Sequence, residues 1–187
     1  MREAQVTGQL EHPNIVPIHE LGENGQGIPF FTMKLVRGKP WKQVIRQNSL
    51  ADNLEVLLRT ADAVAYAHSR EILHRDLKPD NVMLGDFGEV LLMDWGLAVS
   101  LVKNGKAESI STATAMDGTP AYMAPELASG DVTRIGPGSD IYLLGAILFE
   151  IITGEPPHAG DTAEATLRNA AHNVICQTAD TSELMDI

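Results

Sequence analysis

The run Ile141–Ile152 limits the possible folds more than any other part of this sequence. Its one charged residue is Glu150, and it is the longest apolar stretch in the chain. Twelve residues of helix reach about 18 Å, short of the roughly 20 residues that a membrane span needs. A segment this apolar must therefore be wrapped by the rest of the chain, and a buried core helix is predicted over Asp140–Thr153. The chain can supply the wrapping: it has 187 residues, 44% of them hydrophobic, the size of one globular domain.

The remaining pattern is mixed. Residues 1–10 read as the end of a helix. Ile15–Leu21 and Ile28–Val36 read as strands, joined by turn residues Gly22-Glu23-Asn24-Gly25-Gln26-Gly27. Those glycines are followed by a strand and not by a helix, so they form a hairpin turn rather than a phosphate loop. A short helix is predicted from about Trp41. Leu54, Leu57, Leu58, Ala61, Val64, Ala65 and His68 fall at helical spacing, with Ser49 and Asp52 as a capping pair. Val82–Leu84 and Glu89–Met93 are short strands around a Gly85-Asp86-Phe87-Gly88 turn. Residues 97–120 are small and polar and read as a loop. Thr162–His172 is predicted helical, and Ser182–Ile187 reads as the start of another helix. This order makes an α+β domain that is mostly helical toward its C-terminus.

Charge narrows the function. A formal net charge of −11 argues against binding a nucleic-acid backbone, which requires a basic surface. One cysteine, Cys176, cannot form an internal disulfide. With no signal peptide after Met1 and no membrane segment, the domain is expected in the cytoplasm. The six histidines show no metal-ligand spacing. His68 reads as a packed residue and His74 as a support for the loop that follows it.

That loop, His74-Arg75-Asp76-Leu77-Lys78-Pro79-Asp80-Asn81, resembles the catalytic loop of protein kinases. Four further segments follow family order: Arg2-Glu3-Ala4-Gln5 with His12-Pro13-Asn14-Ile15-Val16, then Asp94-Trp95-Gly96, Gly118-Thr119-Pro120 through Pro125-Glu126, and Ser139-Asp140-Ile141-Tyr142. The resemblance covers essentially the whole chain. It implies a protein-kinase-like fold, with a small-lobe remnant at residues 1–36 (the C-helix end and two strands) and most of the helical large lobe at 37–187.

The resemblance also implies roles. Asp76 accepts the proton of a substrate hydroxyl. Lys78 neutralises the transferring phosphoryl group. Asn81 and Asp94 offer oxygen ligands to Mg²⁺ bridging the phosphates of ATP. Met33, Met83 and Met93 lie against adenine, with backbone bonds near Lys34 and Val36. Glu3 matches the C-helix glutamate that pairs with a strand lysine. Lys78 with Gly118-Thr119 implies Ser/Thr acceptors in a protein substrate. Arg75 implies control by phosphate on the activation segment, where Ser109, Ser111, Thr112 and Thr114 are candidates. Glu126 reads as a structural ion-pair member.

Two departures stand out. Asp86-Phe87-Gly88 spells the family's metal-binding tripeptide, but only four residues separate Asn81 from Asp86, too few for a hairpin and its return. Asp94-Trp95-Gly96 takes that place, with Trp95 filling an apolar slot. The 187 residues contain neither the glycine-rich loop nor the strand lysine of the small lobe. The expectation is a family member shortened at both ends and inactive by itself. The alternatives are a non-catalytic pseudokinase binding module, or a remnant without a stable fold. The intact Asp76, Asn81 and Asp94 favour an enzyme.

Overall fold

The structure, a computed structural model, describes residues 7–101 and 116–176. Glu3, the four candidate hydroxyl residues at 109–114 and the predicted helix start at 182–187 lie outside them. Strands β1 (Ile18–Glu23) and β2 (Pro29–Met33) form an antiparallel hairpin in which Glu23 faces Pro29. Both are shorter than the sequence pattern suggests. Ile15 leaves the hairpin to bridge Leu92. Lys34 N–H still reaches Pro17 O at 3.1 Å, but proline has no N–H to return, so the ladder stops there.

Strand β3 (Gly38–Pro40) pairs with β5 (Val82–Gly85), and β5 pairs with β6 (Val90–Leu92). Between β3 and β5 run a 3-10 turn over Trp41–Gln43, helix α1 (Leu50–Ser69) and strand β4 (Ile72–Leu73). Strand β7 (Val99–Ser100) pairs with β4. Helices α2 (Pro125–Ser129), α3 (Pro137–Thr153) and α4 (Ala163–Ala171) complete the described chain. Among the described residues no helix is long and apolar enough to cross a membrane.

Helix α1 starts where the sequence places it. Ser49 Oγ accepts Asp52 N–H at 3.1 Å and donates to the Asp52 carboxylate at 2.7 Å, so the cap closes both ways. Its buried face, however, is not the leucine stripe. Asn53, Val56, Thr60, Ala63, Val64 and Ala67 are buried, while Leu54 and Leu58 are 37% and 66% exposed. Polar residues outrank leucines here because they are paired. Asn53 accepts Trp41 Nε1–H at 2.8 Å and donates to Ile45 O at 2.7 Å, and the Thr60 hydroxyl donates to Val56 O.

Helix α3 packs against α1 and starts three residues before the predicted Asp140. Leu143, Ala146 and Ile147 are buried, as its composition requires, yet Ile141 is 61% exposed and Glu150 is 1% exposed. Glu150 is tolerated because Lys42 Nζ lies 2.5 Å from its Oε1 and Tyr122 donates its hydroxyl to Oε2. Burial and this carboxylate push the Tyr122 pKa up, so the phenol stays a donor. Lys42→Met leaves a buried charge without its cation. A fully buried pair broken this way costs about 3–5 kcal/mol, and a third of the Lys42 side chain is exposed. The expected loss is therefore about 2 kcal/mol, read by thermal melting as about 4–8 °C. Glu150→Gln added to Lys42→Met is expected to restore most of it.

Candidate active site

Asp140, fully buried on α3, organises the loop before the site. Its carboxylate accepts His74 N–H at 2.9 Å, Arg75 N–H at 2.8 Å and the His68 ring Nε2 at 2.8 Å. Two consecutive backbone bonds to one carboxylate hold Arg75 at φ +72°, a left-handed conformation that a long side chain adopts only under such constraint. His68 was legible as a packed residue, but its partner lies 72 residues away. Arg75 is buried and donates from Nη1 to Leu97 O at 3.3 Å.

The His74 ring ties this loop to the segment carrying Asp94. Asp76 N–H donates to His74 Nδ1 at 3.3 Å, so the ring proton sits on Nε2, which faces Met93 O at 3.1 Å. Burial lowers the His74 pKa against the pull of Asp140 and Asp76, in accord with this neutral tautomer. The β5–β6 hairpin then does what its length demands: Met93 N–H donates to Asn81 O at 2.9 Å, closing the two arms beside each other. Its turn carries Asp86-Phe87-Gly88, with Phe87 95% exposed and Gly88 at φ +78°, a turn that glycine makes without strain. Asp94, at φ +58°, lies at the other end of the hairpin.

Asp76 is 8% exposed and fully engaged. Thr119 Oγ1 donates to its Oδ1 at 2.9 Å, while Lys78 Nζ at 2.9 Å and Asn81 Nδ2 at 3.1 Å meet its Oδ2. Lys78 Nζ also donates to Thr119 Oγ1 at 2.6 Å. Gly118 sits at φ +138°, and a Cβ there would stand 3.0 Å from Met123 Cε and 3.5 Å from Asp76 Oδ1. Glycine is thus required for Thr119 to reach the carboxylate. Sequence reasoning used Gly118-Thr119 only as an acceptor-type signature and did not foresee this bond. Glu126 accepts the Ser139 hydroxyl, a neutral partner within the described residues.

A cavity of about 330 Å³ opens next to these groups. Its lining includes Met33, Met83, Met93, Asn81 and Asp94, together with Asp80, Val16, Ile18, Thr7 and Trp95. Lys34 and Val36 are not in the lining, and the Lys34 ammonium pairs with Glu89. Asn81 spends its N–H on Asp76, which leaves its Oδ1 as the atom to offer a cation. Asp94 Oδ1 accepts Gly96 N–H at 3.4 Å.

The described architecture and this constellation meet the comparison with known proteins at one point: residues 1–186 match the protein kinase domain. The chain belongs to the protein kinase family. Its α+β make-up, short strands with several helices, is that of a partial kinase fold. This kinase chain is 35% identical over 197 residues to the serine/threonine-protein kinase PknD of Protochlamydia amoebophila, covering 90% of this chain and 20% of PknD. The DNA damage-responsive serine/threonine-protein kinase RqkA of Deinococcus radiodurans is 41% identical over 175 residues, covering 89% of this chain and 25% of RqkA. The serine/threonine-protein kinase PrkC of Bacillus subtilis is 36% identical over 165 residues, covering 87% of this chain and 24% of PrkC. The kinase chain therefore spans about a fifth to a quarter of the length of these relatives.

Proposed function

We propose that this chain is catalytic-domain sequence of a serine/threonine protein kinase, moving the γ-phosphate of ATP to a Ser or Thr hydroxyl of a protein. One observation carries the reading. The Thr119 alcohol oxygen stands 2.9 Å from Asp76 Oδ1 and 2.6 Å from Lys78 Nζ, the two contacts an incoming aliphatic hydroxyl needs. In the reaction the acceptor oxygen bonds to the γ-phosphorus as the bond from that phosphorus to the β–γ bridging oxygen breaks. Asp76 takes the acceptor proton, Lys78 offsets charge on the moving group, and ADP leaves with the bonding pair.

Asn81 and Asp94 are the ligands we assign to Mg²⁺. Among the described residues no group of three or more His, Cys, Asp or Glu could hold a metal. A site of one carboxylate and one amide oxygen suits Mg²⁺, a hard cation that takes its other ligands from phosphates and water. Held by Asn81 and Asp94, Mg²⁺ would supply positive charge to offset that of the phosphates. Met33, Met83 and Met93, which line the cavity, are assigned to pack on adenine, and the backbone of Lys34 and Val36 to bond it. Glu3 is assigned to pair with a small-lobe lysine, and residues 1–36 and 37–187 to the two lobes. Arg75 is assigned to receive phosphate from residues 109–114.

The test is acceptor identity. Residues 1–187 preceded by a glycine-rich loop and strand lysine are given labelled ATP and a mixed protein substrate, and phosphoamino acids are separated. Phosphoserine and phosphothreonine are expected, and phosphotyrosine alone would refute the assignment. Residues 1–187 by themselves are expected to transfer none and to bind ATP no better than roughly 1 mM, because this sequence has neither the glycine-rich loop nor the strand lysine to fix the phosphates for transfer.

A further inference from the structure

Thr119 makes, from within the chain, the contacts expected of an acceptor hydroxyl. Its backbone is fixed on both sides. Gly118 precedes it at φ +138°, and Pro120 after it restricts Thr119 to extended backbone. Its carbonyl accepts Tyr122 N–H at 3.0 Å, which closes a turn. The hydroxyl held this way donates to Asp76 Oδ1 at 2.9 Å and accepts from Lys78 Nζ at 2.6 Å. Lys78 Nζ in turn lies 2.9 Å from Asp76 Oδ2, so carboxylate, ammonium and hydroxyl touch pairwise. Thr119 is half-buried and not sealed in the core, and the Tyr122 hydroxyl three residues on is committed to Glu150. A hydroxyl already oriented against the base needs no encounter, an advantage equivalent to a very high local concentration of acceptor.

We propose that Thr119 is itself a phosphorylation site, modified in cis from the chain's own ATP, and that the modification shuts the active site. The inference rests on the phosphotransfer reading above. In the step, Thr119 Oγ1 bonds to the γ-phosphorus as the bond from that phosphorus to the β–γ bridging oxygen breaks. Asp76 takes the hydroxyl proton, and ADP leaves with the bonding pair. The phosphothreonine sets about −1.5 to −2 charges at pH 7 beside the Asp76 carboxylate. It also engages Lys78 in charge-assisted bonds, which withdraws that ammonium from any further transfer. A protein hydroxyl then finds neither the base nor the cation free. Phosphate at Thr119 is thus opposite in effect to the phosphate assigned to residues 109–114, which Arg75 would receive.

The test follows the form carrying a glycine-rich loop and strand lysine during incubation with ATP, with and without a mixed protein substrate. Fragmentation mass spectrometry of the tryptic peptide 107–134 separates Thr119 from the other hydroxyl residues, and transfer to the substrate is measured on the same samples. Phosphate is expected at Thr119 at a rate per enzyme that does not change on dilution, slowed by excess protein substrate. Transfer is expected to fall in direct proportion to the fraction of chains modified. Asp76→Asn chains mixed with wild type are expected to stay unmodified at Thr119, because a second molecule cannot present its base there. Labelled substrate with Thr119 unmodified would overturn the proposal and leave the phosphotransfer reading standing, whereas label in neither would overturn both. Phosphate on Thr119 of the Asp76→Asn chains, or undiminished transfer by modified wild type, would also overturn it.

Discussion

With a glycine-rich loop and strand lysine supplied, Asp94→Asn is expected to drop phosphoryl transfer below detection, while Asp86→Asn stays within a few-fold of wild type. The two aspartates head similar tripeptides, yet the hairpin sends them to opposite ends. Asp94 lines the cavity beside Asn81, fixed there by Met93 N–H on Asn81 O and by His74 against Met93 O. Asparagine tolerates the left-handed backbone of Asp94, so the substitution removes charge and little else. Losing that charge where phosphates gather is expected to cost at least roughly a thousandfold. Asp86 is exposed at the turn, and its described tie is a backbone bond, N–H to Arg37 O at 3.1 Å. Asp and Asn are near equivalents in such turns. Steady-state kinetics on both variants decides. A dead Asp86→Asn beside a live Asp94→Asn would mean that the hairpin register is wrong.

The run 74–81 could be matched to a family motif because it is contiguous, and the hairpin after it was legible because it is local. Asp76, Lys78 and Asn81 lie within six residues, and the turn between Asn81 and Asp94 has a length that permits one return. The capped start of α1 was legible for the same reason. What periodicity could not give was the pairing of distant polar groups. Asn53 is buried because Trp41 needs an acceptor, and Glu150 because Lys42 arrives from 108 residues away. Without those partners a leucine stripe at 54 and 58 looks like the core face, a reading that inverts in the fold. The strand ends failed more modestly, because Pro17 ends a ladder that β-propensity alone would continue.

Removing the carboxylate of Asp76 bears most directly on the whole account. Asp76→Asn keeps size and shape, and its amide can still meet Thr119 Oγ1, so the loop is expected to hold. What disappears is the group that takes the acceptor proton. In the form carrying a glycine-rich loop and strand lysine, kcat is expected to fall by about 10²–10⁴. The KM for ATP should stay within a few-fold, because Asp76 is not in the cavity lining. A kcat retained within a few-fold of wild type would contradict the assignment of Asp76 and with it the reading of this site as a phosphotransfer centre.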